Sequence, residues 1–378
     1  MAAPVRILHL HSSFSLGGKE ARAVRLMNAF GDAARHVIVS GVPDALGARD
    51  AIAKGIRYEI ALDPPSLTGR PAVTRFEAIA RFMRGFDLVL TYNWGAIDGV
   101  MARRVFGKQA PPLVHHEDGF NADEAAGLKR ERNIYRRIAL PAAHALAVPS
   151  QALERIALGT WKQPASQVRR IVNGIPTMLY AQRPDLKAIP GLVRRKDEVV
   201  IGAVAGLRPV KDLPKLVRAC GGLAGRFRLV IVGEGPEEGA IRQAAAMMGI
   251  ADRLVMPGFV PRSYAYTGLF DIAALSSSSE QFPLAVVEAM AAGLPVVSTP
   301  VGDVPVMLSA HNAPMIGAEM GEVQLRDALQ QLVANPELRH ALGAANQAKA
   351  RAEYDEGVMI ARYKALYEEA IGRPGALG

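Results

Sequence analysis

The chain of 378 residues is long enough for two domains of roughly 150–200 residues, and because half of its residues are hydrophobic, extensive disorder is excluded. The single cysteine, Cys220, excludes an internal disulfide framework and favours a reducing compartment. The formal net charge of +9 lies in residues 1–175, which hold 24 Lys and Arg against 15 Asp and Glu, whereas residues 176–378 hold 21 of each.

The uneven charge and the amino-terminal residues bear on where the protein acts. A positively charged first half favours an acidic partner for one domain, although a solvated basic surface explains the charge equally well. The amino-terminal segment contains a short apolar run broken by Arg6 and His9, which predicts a buried strand and not a signal peptide. No stretch approaches the roughly 18 apolar residues of a membrane span. We therefore expect a cytoplasmic protein, attached at most to the inner face of a membrane.

Short apolar runs alternate with longer helical patterns in the first 175 residues. Such alternation predicts a parallel sheet with helices on both faces. The predicted strands are Val5–His11, His36–Val42, Phe86–Thr91, Pro112–His116, Ala145–Pro149 and Arg169–Val172. The predicted helices between them include Glu20–Phe30, Phe76–Met83 and Leu128–Ala139.

A loop with two adjacent glycines, Gly17 and Gly18, directly follows the first strand. Glycine allows the backbone to approach a ligand closely, and the helix that is predicted to start near Lys19 offers free N–H groups to an anion. The spacing matches neither the G-x-G-x-x-G fingerprint nor a Walker loop, which disfavours a dehydrogenase. Such a turn, taken alone, is more often structural than functional.

Four polar residues, His115 to Asp118, precede Gly119 at the end of a predicted strand. Open α/β sheets bind ligands at the carboxyl ends of their strands, so this segment is a candidate site. His115 and His116 are adjacent on a strand and are expected to point to opposite faces, which disfavours joint chelation of a metal. The chain also lacks an Asp-x-Asp pair, and we predict no metal site.

A predicted basic helix follows in the first domain. It also carries Leu128, Ile134, Tyr135 and Ile138, and such a helix suits an anionic membrane surface or a lipid diphosphate. A solvated helix face is an equally good interpretation. Nucleic acid is disfavoured as a partner, because no basic platform with interleaved aromatic residues is present. The cations of this helix are Lys129, Arg130, Arg132, Arg136 and Arg137.

The alternation pauses over Gly174–Lys196, a segment with three prolines that predicts a linker, and then resumes. The chain is therefore predicted to be an α/β protein of two tandem doubly wound, Rossmann-like domains. We place the domains at residues 1–175 and 199–353, with a linker at 176–198 and a closing helical segment at 354–378. The strands predicted for the second domain are Val199–Ala205, Phe227–Val232, Leu254–Pro257, Asp271–Leu275 and Pro295–Thr299. The closing segment carries Met359, Tyr363, Leu366 and Tyr367 on one face.

Two loops of the second domain follow predicted strands. The first carries Arg208 and Lys211, whose charges suit an anionic ligand. The second carries Gly233 and Gly235, which permit a tight turn, and Pro236 suits the first position of a helix. We interpret the second loop as mainly structural.

Two glutamates, Glu280 and Glu288, lie in the segment Ser276–Pro305, SSSSEQFPLAVVEAMAAGLPVVSTPVGDVP. The residues Pro283–Ala292 predict a helix, which Gly293 is expected to end. Glu280 is expected just before this helix and Glu288 one to two turns inside it, about 12 Å of helical rise away. A carboxylate beside the free N–H groups of a helix start is well placed to hold a polar ligand.

This segment resembles the Glu-x7-Glu signature of retaining glycosyltransferases of family 4, which have the GT-B fold. The loop at Gly17 and Gly18 resembles the GG-x-E loop of that family, Gly233–Pro236 resembles its G-x-G-P turn, and Asn173–Pro176 resembles its N-G-I/V-D hinge with Pro176 in place of the acid. The resemblance covers nearly the whole chain. It implies two Rossmann-like domains with a cleft between them and a final helix that crosses back to the first domain.

The resemblance also implies roles for individual residues. Glu280 is expected to contact donor sugar hydroxyls, and Glu288 to accept hydrogen bonds from both ribose hydroxyls. Lys211 is expected to stabilise the departing diphosphate, and Gly17 and Gly18 to face the donor phosphates and the acceptor. The implied catalytic residues are Glu280, Lys211, Arg208, His116 and Asp118. The implied substrate-binding residues are Gly17, Gly18, Glu288, Gln281, Phe282, Pro283, Leu284, Gly233, Gly235 and His115.

Three positions depart from the pattern of the family. Gly206 stands where the family has an arginine, and Arg208, two residues further on, is the candidate replacement. Asp118 holds the place of a histidine near the 6-position of the donor sugar. Gln281 follows the first glutamate, where the family often has glycine.

The implied activity is transfer of a sugar from a nucleotide diphosphate sugar to an acceptor hydroxyl, with retention of configuration and without a metal or other cofactor. A lipid-linked or polysaccharide precursor is the expected acceptor. One alternative is a sugar-nucleotide-binding protein with little or no turnover, which Gly206 and Asp118 suggest. Another is a sugar-nucleotide epimerase or a phosphorylase of the same fold.

Overall fold

The computed structural model describes residues 3–107, 110–120, 124, 127–317, 319 and 321–378, and it divides into two compact units. The first unit comprises the chain up to Val172 together with Met359–Gly378. The second unit is the continuous segment Asn173–Val358. Each unit is a parallel β-sheet flanked by helices, as the alternation of short apolar runs and helical patterns predicts.

The first unit is built on a seven-stranded sheet in which all neighbouring strands are parallel. Its strands are β1 (Val5–His11), β2 (Ala34–Ser40), β3 (Tyr58–Ile60), β4 (Leu88–Tyr92), β5 (Leu113–His116), β6 (Ala145–Val148) and β7 (Val168–Arg170). Their order across the sheet is β3-β2-β1-β4-β5-β6-β7. Six of the seven strands were predicted. The prediction missed β3, an edge strand of three residues that buries none of its side chains and so lacks the apolar run of a buried strand.

Helices cover both faces of this sheet, because alternate residues of a strand point to opposite sides. Val5 and Ile7 of β1 belong to one apolar cluster, and Leu8 and Leu10 belong to another. The first cluster includes residues of the helices Gly18–Phe30 and Glu356–Ile371, and the second includes residues of the helices Val73–Met83 and Ile97–Phe106. The helices of the first unit are α1 (Gly18–Phe30), α2 (Val73–Met83), α3 (Ile97–Phe106), α4 (Arg130–Ala139), α5 (Gln151–Gly159) and α13 (Glu356–Ile371) from Met359 onward. The predicted apolar face of the last helix is confirmed, since Met359, Tyr363, Leu366 and Tyr367 are all buried.

The second unit contains a five-stranded parallel sheet, and Ile201, Leu229 and Ile272 of its strands contribute to one large apolar cluster. Its strands are β8 (Val199–Val204), β9 (Phe227–Val232), β10 (Leu254–Gly258), β11 (Ile272–Leu275) and β12 (Val296–Ser298), in the order β10-β9-β8-β11-β12. All five were predicted. Its helices are α6 (Thr177–Tyr180), α7 (Leu213–Gly221), α8 (Glu238–Met247), α9 (Leu284–Ala291), α10 (Val304–Met307), α11 (Glu322–Ala334) and α12 (Pro336–Glu353).

The segment that the sequence presents as a linker packs against the second unit. Arg194 donates to both carboxylate oxygens of Asp271, at 2.9 and 3.0 Å. The N–H of Asp185 donates to the carbonyl of Ala265 at 2.8 Å, and Tyr180 is buried. These contacts fix the segment, although its prolines and charges suggest a solvated connection.

Each sheet has one switch point between two neighbouring strands. On one side of it successive strands of the chain are added in one direction across the sheet, and on the other side they are added in the opposite direction. The switch lies between β1 and β4 in the first unit and between β8 and β11 in the second. Ligands of open α/β sheets bind beyond the carboxyl ends of the strands at such a point. Among the described residues, no helix combines the length and the apolar composition needed to cross a bilayer.

Candidate functional site

The two loops at the switch point of the second sheet are tied together by hydrogen bonds. One loop follows β8 and carries Lys211, and the other follows β11 and carries the serine run. The N–H of Ser278 donates to the carbonyl of Val210 at 2.9 Å, and Ser276 Oγ donates to the carbonyl of Lys211 at 2.9 Å. The backbone that carries Lys211 is therefore fixed relative to the loop that leads to α9.

These loops bring Lys211 and Glu280 into contact. Lys211 Nζ donates to Glu280 Oε1 at 2.5 Å, and Ser277 Oγ donates to the same oxygen at 2.8 Å. The side chains retain 16% and 11% of their exposure, so the pair is partly solvated. The structure thus joins two residues that lie 69 positions apart in the sequence.

The helix predicted between the two glutamates is present as α9. Glu280 precedes it, Pro283 caps it, and Glu288 occupies its fifth position. Glu288 Oε1 accepts a hydrogen bond from the Tyr180 hydroxyl at 2.9 Å, and that hydroxyl lies 2.9 Å from Ser263 Oγ. Tyr180 was not predicted as a site residue, because it lies in the segment interpreted as a linker.

The residues that connect Glu280 to α9 are packed against the rest of the second unit. The Phe282 ring meets the Tyr354 ring edge-on, with 5.7 Å between the ring centres. Gln281 accepts a hydrogen bond at its carbonyl from the N–H of Asp303 at 3.2 Å. Pro283 is buried, and Leu284 is the first residue of the helix.

Arg208 lies over the position where the family has an arginine. A Cβ atom built on Gly206 lies 3.5 Å from Arg208 Nε, an ordinary van der Waals distance. Arg208 is exposed, and its N–H donates to the carbonyl of Gly206 at 2.8 Å. The Arg208 guanidinium therefore lies close to the point where a side chain at position 206 would begin.

Gly233 and Gly235 form a turn that no other residue type fits. Their φ angles are +143° and +153°, and a Cβ atom would lie 1.9 Å from the carbonyl oxygen of Ala205 or 2.4 Å from that of Leu207. The prediction of Pro236 as the first residue of the next helix is wrong. That helix, α8, begins at Glu238, and the N–H of Glu237 donates to the carbonyl of Leu207 in the preceding loop.

In the first unit, the two adjacent glycines begin α1 as predicted. Gly17 is the N-cap in extended conformation, and α1 begins at Gly18. Lys19 forms an ion pair with Glu20, which is buried in the first turn of the helix. This places one carboxylate and one ammonium group beside the glycines at the switch point of the first sheet.

Asp118 forms a buried ion pair with Arg22, a residue that the sequence analysis missed. Arg22 Nη2 donates to Asp118 Oδ2 at 2.8 Å, and Nη1 donates to the other oxygen. Burial alone would lower the pKa of Arg22, but the Asp118 carboxylate raises it above its ordinary value. The Tyr363 ring of α13 lies 5.4 Å from the guanidinium. In the sequence, an arginine among the apolar residues of α1 could have indicated that Arg22 is buried and needs a carboxylate partner.

His115 and His116 point to opposite faces of the sheet, as predicted, and both are fully buried. His115 Nδ1 lies 2.8 Å from Thr91 Oγ1, whereas His116 Nε2 lies 2.8 Å from the Tyr367 hydroxyl. Burial, aided by Arg22, lowers the pKa of His116 well below its ordinary value. The ring is therefore neutral at pH 7, and its predicted catalytic role stays a prediction.

His116 belongs to a buried column of aromatic rings. The Tyr92 ring stacks on His116 at 4.7 Å and on His11 at 4.1 Å, and His9 Nε2 lies 2.9 Å from His36 Nδ1. The alternate histidines of β1 were the sequence signal for this column. No group of three His, Cys, Asp or Glu side chains that could hold a metal ion occurs among the residues the structure describes.

The interpretation of Arg136 as part of a membrane-facing or solvated surface is wrong. Its side chain is fully buried and forms ion pairs with Glu117 and Glu124 at 3.2 and 3.4 Å. The Trp161 ring lies 4.8 Å from the guanidinium. Arg130 and Arg137 of the same helix, α4, are exposed, together with Ile134 and Ile138.

Two family models match the chain and together cover most of it. The model described as "Glycosyltransferase Family 4" matches residues 6–179, and the model described as "Glycosyl transferases group 1" matches residues 187–349. The first match covers most of the first unit and extends a short way into the second, and the second match lies within the second unit.

Curated relatives of the chain include proteins named as glycosyltransferases. The chain is 25% identical to the N-acetyl-alpha-D-glucosaminyl L-malate synthase of Bacillus anthracis over 214 residues, 55% of each chain. It is 29% identical to the putative glycosyltransferase EpsF of Bacillus subtilis over 43% of this chain and 44% of that one. It is 24% identical to the lipopolysaccharide core biosynthesis glycosyltransferase LpsD of Rhizobium meliloti, over 60% and 63%. The chain thus spans about half the length of the curated relatives it matches.

Solved structures resemble the whole chain. A crystal structure of Anabaena HepE in complex with UDP has a TM-score of 0.79 at 20% identity and covers 96% of this chain and 100% of that one. Sucrose-phosphate synthase from Thermosynechococcus elongatus has a TM-score of 0.76 at 20% identity, over 97% and 99%. At these identities the likeness shows the GT-B fold.

Proposed function

The chain belongs to glycosyltransferase family 4 and is a glycosyltransferase with the GT-B fold, and from this premise we propose that it transfers a sugar from a nucleotide diphosphate sugar to an acceptor hydroxyl with retention of configuration. The observation that carries the proposal is the contact between Lys211 and Glu280 at the switch point of the second sheet. A cation and a carboxylate held together at that edge suit a ligand with phosphate and hydroxyl groups. The UDP complex of the structurally similar HepE supports the same class of donor.

In this proposal, three groups of residues bind three parts of the donor: the diphosphate, the sugar and the ribose. Lys211 and Arg208 contact the diphosphate, and Glu280 accepts hydrogen bonds from the sugar. Glu288 accepts hydrogen bonds from the ribose, an interaction that Tyr180 prepares by fixing one carboxylate oxygen. The N–H groups of Phe282 and Leu284, on either side of Pro283 at the start of α9, face the same ligand in this proposal. Gln281, Pro283, Gly233 and Gly235 shape the backbone around it.

Departure of the nucleoside diphosphate is the step that most needs electrostatic help. Negative charge develops on the β-phosphate oxygen as the bond to the anomeric carbon breaks. Fixed cations stabilise that charge without reorganisation at the moment of reaction, and one such group commonly contributes a factor of about 100–1,000 in rate. Arg208 and Lys211 supply two positive charges for this step, so we propose that the reaction is independent of metal ions.

The first unit contributes the acceptor side. Gly17 and Gly18 allow the acceptor to approach the backbone closely, beside the amino terminus of α1. Asp118, His115 and His116 act in this proposal by fixing the carboxyl end of β5, where the sugar is expected. The Arg22 ion pair and the buried histidine contacts support a positioning role for them.

The acceptor is a lipid-linked or polysaccharide precursor in this proposal. The name of the relative from Rhizobium meliloti, a lipopolysaccharide core biosynthesis glycosyltransferase, supports a role in cell-envelope polysaccharide synthesis. The outer face of α4 supports peripheral contact with an anionic membrane on the cytoplasmic side. On that face two exposed arginines, Arg130 and Arg137, alternate with Ile134 and Ile138, which are 46% and 50% exposed.

A second candidate function is binding of a nucleotide sugar with little turnover. Gly206 favours it, because one of the two cations that the family places at the diphosphate is absent from its usual position. The two functions predict the same donor site but differ in whether sugar is released from the donor.

The thermal stability of the full chain against UDP, GDP and ADP and their sugars tests the donor site. We expect one nucleotide to raise the melting temperature of the wild type, and Glu288→Ala to abolish the rise. Glu337→Ala, an exposed carboxylate on α12, is the matched control and should keep it. No rise with any nucleotide would overturn the proposal. Release of sugar from the selected donor then separates the glycosyltransferase from the binding protein.

A further inference from the structure

A cavity of about 400 Å³ opens at the carboxyl ends of β2 and β3 in the first unit. Apolar side chains form most of its lining, namely those of Val39, Pro43, Ile60, Leu62, Pro64 and Leu67. Its volume falls within the range of roughly 300–1,000 Å³ that is usual for small-molecule sites. The carboxyl ends of parallel strands are also the edge at which such sheets bind ligands.

The loops around the cavity are tied to the loop that carries the two adjacent glycines. The N–H of Gly41 donates to the carbonyl of His11 at 2.8 Å, which joins the end of β2 to the end of β1. Phe14 donates its N–H to Ala45 at 2.8 Å and accepts at its carbonyl from Ala48 at 2.9 Å. Phe14 lies three residues before Gly17. Gly41 lines the cavity, so its bond to His11 places the cavity beside the loop of the proposed acceptor side.

The chemistry of the lining selects one class of occupant. Leu62 is 93% exposed, and it stands at the cavity next to Asp63, whose φ of +45° holds the turn in a left-handed conformation. Asp63 is the one charged residue among the described residues that line the cavity. The Asp63 carboxylate repels a phosphate, and the apolar side chains around it favour an uncharged apolar group.

We propose that this cavity binds the apolar, uncharged portion of the acceptor, an alkyl, prenyl or aryl group attached near the hydroxyl that receives the sugar. The proposal rests on the proposed function for the existence of an acceptor. It adds that the acceptor is amphipathic and that its phosphate, where it has one, lies outside the cavity. A purely saccharide acceptor would leave Leu62 in water and gain nothing from the apolar lining.

Direct binding tests the cavity without sugar transfer. The neutral fluorophore N-phenyl-1-naphthylamine is titrated into the full chain and displaced with n-octyl β-D-glucoside below its micellar concentration. We expect saturable binding by the wild type and at least about tenfold weaker binding by Leu62→Asp, because the variant places a second carboxylate in the apolar contact. Val73→Asp is the matched control, an exposed apolar residue of the same unit outside the lining, and should bind like the wild type.

The same variants separate this inference from the proposed function. Suppose that the wild type, Leu62→Asp and Val73→Asp all bind the nucleotide. If the wild type then shows no saturable fluorophore binding, or if Leu62→Asp binds the fluorophore equally well, the cavity assignment is overturned and the proposed glycosyltransferase function still stands. Equal weakening by Leu62→Asp and Val73→Asp would overturn it too. With the donor identified, octyl glucoside should be a better acceptor than glucose for the wild type and lose that advantage in Leu62→Asp. An advantage that persists in the variant counts against the proposal.

Discussion

Lys211 and Glu280 lie 2.5 Å apart, Nζ to Oε1, although one follows the first strand of the second sheet and the other follows the fourth. The pair is held by the loops that flank the switch point, where β8 and β11 are neighbours. Its partial exposure keeps both charges accessible to a polar ligand. In the proposed reaction the ammonium group turns to the diphosphate and the carboxylate to the sugar.

Lys211→Ala is expected to lower kcat for sugar transfer by about 100–1,000-fold, because one fixed cation is removed from the departing diphosphate. Lys215→Ala is the matched control, since Lys215 follows in the same region and pairs with Asp212 at 2.5 Å. Steady-state release of the nucleoside diphosphate measures both. Turnover of Lys211→Ala within a factor of two of the control would refute the role of this lysine.

Arg208→Ala is expected to weaken binding of the selected nucleoside diphosphate by about 10–100-fold. This fold-change corresponds to the free energy of one hydrogen bond to a charged group. Binding of the corresponding monophosphate should change little, because the β-phosphate is missing. Titration calorimetry measures both affinities.

The double variant Gly206→Arg with Arg208→Ala should recover part of the lost affinity. Residue 206 has no unusual backbone angle, and its Cβ position is free of steric clash. Failure of Arg208→Ala to distinguish the diphosphate from the monophosphate would show that Arg208 does not replace the missing arginine.

Asp118→Asn is expected to lower the free energy of unfolding by about 3 kcal/mol, because the buried Arg22 guanidinium loses the carboxylate that accepts two of its hydrogen bonds. Urea unfolding followed by tryptophan fluorescence reports on the correct unit, since both tryptophans, Trp94 and Trp161, lie in the first unit. Asp50→Asn, which breaks an exposed pair with Arg49, should change stability by less than about 1 kcal/mol. Equal effects of the two variants would contradict the assigned strength of the buried pair.

Stability of the first unit should fall as the pH is lowered below about 6.5. Burial lowers the pKa of His36 from 6.5 to about 4, so the unfolded chain takes up a proton at a higher pH than the folded one. The stabilisation is fully present above pH 6.5 and is lost toward pH 4, with about 2 kcal/mol lost between pH 7 and pH 5. His9, His11 and His116 act in the same direction.

Urea unfolding of His36→Asn at the same two pH values isolates this residue. The variant should lose about 2 kcal/mol less than the wild type on going from pH 7 to pH 5. His340→Asn, a substitution at an exposed histidine, should keep the pH dependence of the wild type. An unchanged dependence in His36→Asn would show that this histidine is not the group that titrates.

The double variant Ile134→Asp with Ile138→Asp is expected to weaken binding to vesicles that contain anionic lipid by at least about tenfold, because carboxylates replace the apolar contact and oppose the surface charge. Sedimentation with sucrose-loaded vesicles measures the bound fraction. Val323→Asp, at an exposed position of α11, serves as the control. Binding of the double variant at the level of the control would remove α4 from the membrane hypothesis.

The sequence predicted most of the fold because its signals are local. Apolar runs such as Phe227–Val232 and the break at Gly293 locate strands and helix ends without knowledge of distant residues. β3 was not predicted because its three side chains are not buried, and a strand of that kind differs little from a loop in composition.

The contacts that define the site depend on residues far apart in the chain, and the sequence did not indicate them. Arg136 resembles its exposed neighbours on a basic helix, and only the positions of Glu117, Glu124 and Trp161 show that it is buried. Tyr180 likewise gave no sign of its hydrogen bond to Glu288, 108 residues away. The two glutamates were found because helix α9 fixes their spacing locally.

The final helix imposes an order on biosynthesis. The second unit is one continuous segment and can begin to fold as soon as Val358 has left the ribosome, whereas the apolar core of the first unit includes Met359, Tyr363, Leu366 and Tyr367. Domains generally fold as units during synthesis, with the amino-terminal one first. Here the half that is translated first must wait for residues that follow the whole second unit in the chain, and until then the Tyr367 hydroxyl is missing from His116. The apolar core of the first unit therefore stays incomplete while the second unit is being synthesised.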